Sequence, residues 1–127
     1  MASFKIAQNA TFKAEVEIPR IGSEPAKVGF EFKCMNRKEL SKYYDKWNKA
    51  RDKAIEESRK DGATWESATE VQIALEIGQM KEIVVGWDFE EGLTDEAITE
   101  LATSCAGAPA AVIDAYQNAY AVARRGN

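Results

Sequence analysis

Polar and apolar residues alternate from Thr11 to Pro19: Phe12, Ala14, Val16 and Ile18 fall on one side, Lys13, Glu15 and Glu17 on the other. A period of two is the signature of a strand with one wet face. Pro19 ends it, having no N–H for the ladder. The stretch Arg20–Lys27 holds Gly22, Ser23 and Pro25 and reads as a loop. Val28, Phe30, Phe32 and Cys34 then alternate with Gly29, Glu31 and Lys33. Two such runs joined by a short loop predict an antiparallel hairpin. A lone hairpin is marginal in water, so its Phe/Val face has to cover something, and the helices that follow are the obvious partner. Phe4 and Ile6 either add a short extra strand or fold over one end.

From Asn36 onward the period changes. Asn36 and Glu39 stand at capping-box spacing, and Leu40, Tyr43, Tyr44, Trp47, Ala50, Ala54 and Ile55 recur at helical spacing among Lys, Asp, Arg and Glu. This predicts a surface helix of roughly 20 residues, stopped at Asp61-Gly62. Thr64 or Ser67 caps the next helix. It carries Trp65, Ala68, Val71, Ala74, Leu75, Ile77 and Met80, continues through Ile83, Val84 and Val85, and ends at Gly86-Trp87-Asp88. Its apolar share rises toward the C-terminal half, which is therefore the more buried half. Gly78 inside it costs about 1 kcal/mol relative to alanine. It marks either a close crossing or a plain weak point. After the connector Phe89–Leu93, Thr94 caps a third helix whose first turn, Asp95-Glu96, places acids where free amides favour them. The break Ala106-Gly107-Ala108-Pro109 leads into a last helix with Val112, Ile113, Tyr116, Ala119, Tyr120 and Ala123, closed by Arg124-Arg125. The expected fold is α+β, an N-terminal antiparallel β-hairpin (residues 1–35) followed by a mainly helical bundle of about four helices (residues 36–127). One compact unit is the expected arrangement, two loosely joined parts the alternative.

Composition fits this picture and excludes much else. The chain has 127 residues, 45% of them hydrophobic and 30% charged, which is neither a disordered nor a fibrous profile. It holds two Cys and no His, so no His-dependent triad or His-ligated metal site is available within it. No apolar run reaches membrane-spanning length. The first residues lack the continuous apolar core of a signal peptide, and a reducing cytoplasm is the expected setting. The formal charge of −4 hides an asymmetry: residues 1–60 carry 14 Lys/Arg and 9 Asp/Glu, residues 61–127 carry 3 and 12. Three explanations compete: solvated helix faces, complementarity within or between copies of the chain, and nucleic-acid binding by the basic helix 37–60. The five acids interleaved in that helix argue against a phosphate-binding surface.

Candidate chemistry is sparse. Gly22, Gly29 and Gly62 do not make a phosphate loop. Cys34 ends an apolar strand face and Cys105 lies near a helix end, and neither has a histidine to activate it. The acidic run Asp88, Glu90, Glu91, Asp95, Glu96 lacks the ligand spacing of a calcium loop. No catalytic residue, cofactor site or metal site is assigned. The side chains best suited to protein contacts are Tyr43, Trp47, Trp65, Trp87, Asp88, Tyr116, Tyr120 and Arg124. Trp65 and Trp87, at the two ends of one helix, read as packing anchors.

The order and spacing of several short motifs add a resemblance. They are Val85-Gly86-Trp87-Asp88, an acidic connector, Thr94-Asp95-Glu96, Ala106-Gly107-Ala108-Pro109, Ala115-Tyr116 and the ending Arg124-Arg125-Gly126-Asn127. In front stand Phe12–Pro19, Phe30-Glu31-Phe32-Lys33 and a basic helix starting near Arg37-Lys38-Glu39-Leu40. This arrangement, over nearly the whole chain, resembles the tail assembly chaperones of long-tailed bacteriophages. One departure is the break itself, where many members carry a bulky residue or Tyr before the proline and this chain has Ala108. The resemblance implies a non-enzymatic protein that needs no cofactor. Such chaperones coat the tape measure protein, keep its apolar helical surface soluble and help bring tail tube subunits to it. It also implies action in the host cell cytoplasm and absence from the finished virion, and the charge split between the two halves adds the expectation of a homo-oligomer. In several phages a frameshift yields a longer form that contacts the tube protein.

Overall fold

A computed structural model describes residues 6, 7 and 9–125. The two alternating runs form β1 (Thr11–Ile18) and β2 (Ala26–Lys33), paired antiparallel with Phe12 opposite Phe32, Ala14 opposite Phe30 and Val16 opposite Val28. This register puts every large apolar residue of the hairpin on one face. Lys13 faces Glu31 and Glu17 faces Lys27 across the other face, pairs of opposite charge that favour the same register. Phe4 lies outside the described residues. Ile6 is exposed in a bend and adds no strand.

The hairpin is not left with two strands. Helices α1 (Arg37–Ser58) and α2 (Trp65–Ile83) follow, and α2 runs without a loop into β3 (Val84–Trp87), which pairs antiparallel with β2 to give the sheet order β1-β2-β3. The expected continuation of the helix through Val84 and Val85 is therefore corrected. Val84 still donates its N–H to Met80 at the helix end, but its backbone is already extended. Two successive β-branched residues favour a strand, and the free side of β2 offers the partner: Asp88 N donates to Gly29 O at 2.9 Å. A Cβ on Gly29 would meet the Asp88 carboxylate, which would have to turn aside. α3 (Asp95–Ser104) and α4 (Ala108–Arg125) complete the α+β fold.

Local chemistry explains the helix ends. Asn36 Oδ1 accepts from Glu39 N while Asn36 N donates to Glu39 Oε1, the reciprocal box expected from their spacing. At α2 the cap is Thr64, in a box with Ser67, and Thr94 caps α3 through Ala97 N. Each such cap contributes about 1 kcal/mol. Gly107 turns the chain between α3 and α4 at φ 85°, a conformation costly for any residue with a Cβ. Pro109 follows in the first turn of α4, where its missing N–H costs nothing.

The core lies between the sheet and helices α2, α3 and α4. Val16, Ile18, Val28, Phe30 and Phe32 from the sheet meet Met80, Ile83, Ile98, Leu101, Val112 and Tyr116. α4 packs beneath β1, and α1 packs along α2. Met80 and Ile83 are the buried residues of α2, both in its last turn, and Trp47 is that of α1. The α1–α2 hairpin is thus rooted in the core at one end. Gly78 meets no atom within 4 Å of where a Cβ would stand, so it is a weak point and not a crossing. Gly78→Ala should stabilise the protein by about 0.5–1 kcal/mol, read as a higher urea midpoint with unchanged slope.

Candidate groove between the helical hairpin and the last helix

The root of the hairpin is held by a small polar network. Trp47 Nε1 donates to Glu82 Oε2 at 3.1 Å, and Lys46 Nζ pairs with Glu82 Oε1 at 2.7 Å. Tyr43 and Tyr44 flank Trp47, with ring centroids 6.2 and 5.8 Å away. Beneath them α4 presents Tyr116 and Tyr120. Met35 N donates to Tyr120 Oη at 2.9 Å, and Tyr116 Oη donates to Lys33 O at 3.0 Å. A carbonyl can only accept, so the remaining hydroxyl hydrogen, that of Tyr120, points at Tyr116 Oη, 3.0 Å away. Tyr44 sits within the reach of Tyr120 and Arg124. Burial and the Tyr120 phenol push its pKa above the usual value, while the Arg124 guanidinium pulls the other way.

Above this base α1 and α2 diverge from α4 and leave an open groove of about 1270 Å³. Its apolar patches are Tyr44, Trp47, Ile55, Leu75 and Ile113. Between them stand five amides, Asn48, Gln72, Gln79, Gln117 and Asn118. Two cations, Arg51 and Arg124, and two carboxylates, Glu76 and Asp114, also line it, with Pro109 and small alanines of α4 between them. Gln72, Glu76 and Pro109 are shared with a neighbouring hollow of about 350 Å³ between α2 and the α3–α4 break, where Trp65 stands. The two lie side by side along α2. An open cleft of mixed apolar and amide character, without a focused charge, suits a helical segment better than a small ion.

The residues singled out from the sequence divide among different places. Trp47 and Arg124 line the groove. Trp65 lines the adjoining hollow and is 90% exposed, so its expected role as a packing anchor is corrected. It is the first residue of α2, beyond the core-facing turns. Trp87 does anchor: it packs edge-on against Phe30 and Phe89, and its Nε1 donates to Glu91 O at 2.8 Å. Trp87 and Asp88 border a separate hollow on the sheet, floored by Gly29 and Gly86. Tyr43 is half-buried beside the groove, Tyr120 is half-buried below it, and Tyr116 is 0% exposed and belongs to the core. The groove walls Leu75 and Ile113 were not singled out as contact residues. The signal for Leu75 was present in α2, where Val71 and Leu75 lie off the stripe of Ile73, Ile77 and Met80. A helix apolar on more than one side faces more than one neighbour.

Among the described residues no three His, Cys, Asp or Glu side chains gather at metal-binding distance. No described helix is long and apolar enough to cross a membrane. Both cysteines are free thiols, partly buried. No curated protein and no solved structure matches the chain. A family model described as phage tail assembly chaperone matches residues 1–127. With that match over its whole length, the chain belongs to the phage tail assembly chaperone family.

Proposed function

We propose that this chaperone binds the tape measure protein of a long-tailed phage, keeps it soluble and helps recruit tail tube subunits to it. In this reading several copies act together in the host cytoplasm, without catalysis or cofactor, and leave before the virion is complete. The observation that carries it is the open groove between α1, α2 and α4. A tape measure protein offers long helices with apolar stripes. Laying such a stripe against Ile55, Leu75 and Ile113 removes both apolar surfaces from water, at about 25 cal/mol per Å². The surrounding amides satisfy the polar edge of a helix without fixing one sequence. That tolerance fits a client contacted at many successive places.

Co-expression with the tape measure and tail tube proteins of the same phage should give a complex that co-purifies. Ile55 is 41% exposed, so Ile55→Asp combined with Leu75→Asp should abolish co-purification while circular dichroism stays native. Co-purification undiminished by the double substitution would remove the groove from the reading. The competing reading, a nucleic-acid accessory using the basic helix 37–60, draws on the exposed lysines of α1. It predicts salt-sensitive DNA retardation in a gel instead of a complex with tail proteins.

A further inference from the structure

Five lysines of α1, Lys38, Lys42, Lys46, Lys49 and Lys53, follow one another at steps of four, four, three and four residues. That spacing places them in one stripe along the helix. All five are exposed. Among the described residues only Lys46 has a carboxylate within 4 Å, that of Glu82. The opposite charge is on another flank of the molecule. The outward residues of α3 include Asp95, Glu96, Thr99, Glu100 and Thr103, preceded by exposed Glu90 and Glu91. α2 separates the two surfaces, meeting α1 through Glu82 and α3 through Lys81, which pairs with Asp95 at 3.5 Å. Neither surface can neutralise the other within one chain.

We propose that the lysine stripe of α1 docks against the acidic face of α3 and its preceding loop on a second copy of the chain, head to tail. This rests on the reading that several copies act together, and it names the surfaces by which they meet. Because the two surfaces differ, a pair keeps one free lysine stripe on one copy and one free acidic face on the other, so the contact propagates into rows or rings. Such contacts are long-range at low salt and collapse as the screening length shrinks from about 10 Å at 0.1 M to about 3 Å at 1 M. Row formation is then reversible, and its strength is set by ionic conditions.

Sedimentation velocity tests this on the intact chain. At about 50 mM salt the protein should form species larger than two chains, and at about 500 mM the association constant should fall at least tenfold. Lys42→Gln/Lys49→Gln/Lys53→Gln and Glu90→Gln/Glu91→Gln/Glu96→Gln alter exposed side chains and should each sediment as monomers with native circular dichroism. Mixed in equal amounts, the two variants retain one good surface each and should stop at a two-chain species. Oligomers untouched by both triple substitutions would overturn the surface while leaving the collective reading intact. A wild-type monomer at low salt would overturn both, whatever the outcome of client co-purification. If the lysine variant loses duplex DNA binding that the wild type shows, and self-association is unchanged, the stripe is a nucleic-acid surface and the proposal fails.

Discussion

Tyr116→Ala should destabilise the protein by about 3–5 kcal/mol, out of a total expected to be about 5–15 kcal/mol. The ring is fully buried, stacked on Phe12 at 5.8 Å and tilted against Phe32 at 5.4 Å. Removing it opens a cavity where β1, β2 and α4 meet. It also leaves Lys33 O and the Tyr120 hydroxyl without their partner. Tyr116→Phe isolates that second effect and should cost about 1–2 kcal/mol. The pair also has a pH signature. Burial, with the Tyr120 hydrogen bond, holds the Tyr116 phenol well above its ordinary value of 10.0. Its contribution is whole below pH 10 and is lost as pH rises beyond that toward its own higher pKa, because the unfolded tyrosine ionises and the folded one does not. The slope approaches 1.4 kcal/mol per pH unit above about pH 10. Urea midpoints measured from about pH 8 to 11 should therefore converge for wild type and Tyr116→Phe. Parallel curves would mean that Tyr116 is not held neutral by its surroundings.

Trp47→Ala should cost about 3 kcal/mol and change the shape of the molecule as well as its stability. Trp47 is the buried residue of α1 and donates to Glu82 on α2. Without it α1 loses its root, and the Glu82 carboxylate keeps only Lys46 among the side chains now around it. Trp47→Phe retains most of the apolar contact, loses the indole hydrogen bond, and should cost about 1 kcal/mol. Since α1 is one wall of the groove, client capture should fall with the alanine variant and survive the phenylalanine variant. Protease cleavage within α1 should accelerate in the same order. Equal capture by both would separate the groove from client binding.

The parts legible in the sequence were those governed by local chemistry. Alternation identified β1 and β2, and Asn36 and Thr94 marked helix starts because their side chains compete for free amides within one turn. β3 was hidden because Ile83-Val84-Val85 is apolar in any conformation, and whether it continues a helix or enters a sheet depends on the open side of β2. Trp65 was misplaced for a related reason. A tryptophan at helical spacing records an apolar face, but not whether the chain folds anything over it. The groove was legible only as a surplus, the residues Val71 and Leu75 off the main stripe. Its walls come from three helices, and their divergence is set by contacts far apart in the chain.

That distance has a consequence for the order in which the molecule can be assembled. Tyr116 reaches Lys33 across 83 positions, and Tyr120 reaches Met35 across 85. α4 also seals the sheet beneath β1, the first strand. By residue count the chain is mostly helix, but its closing contacts are as non-local as those of a sheet protein, which slows folding. On the ribosome the part of the hairpin face around Phe12 and Phe32, which packs on Tyr116, therefore waits open until α4 has emerged. For that interval this chaperone is itself a chain with an uncovered apolar surface.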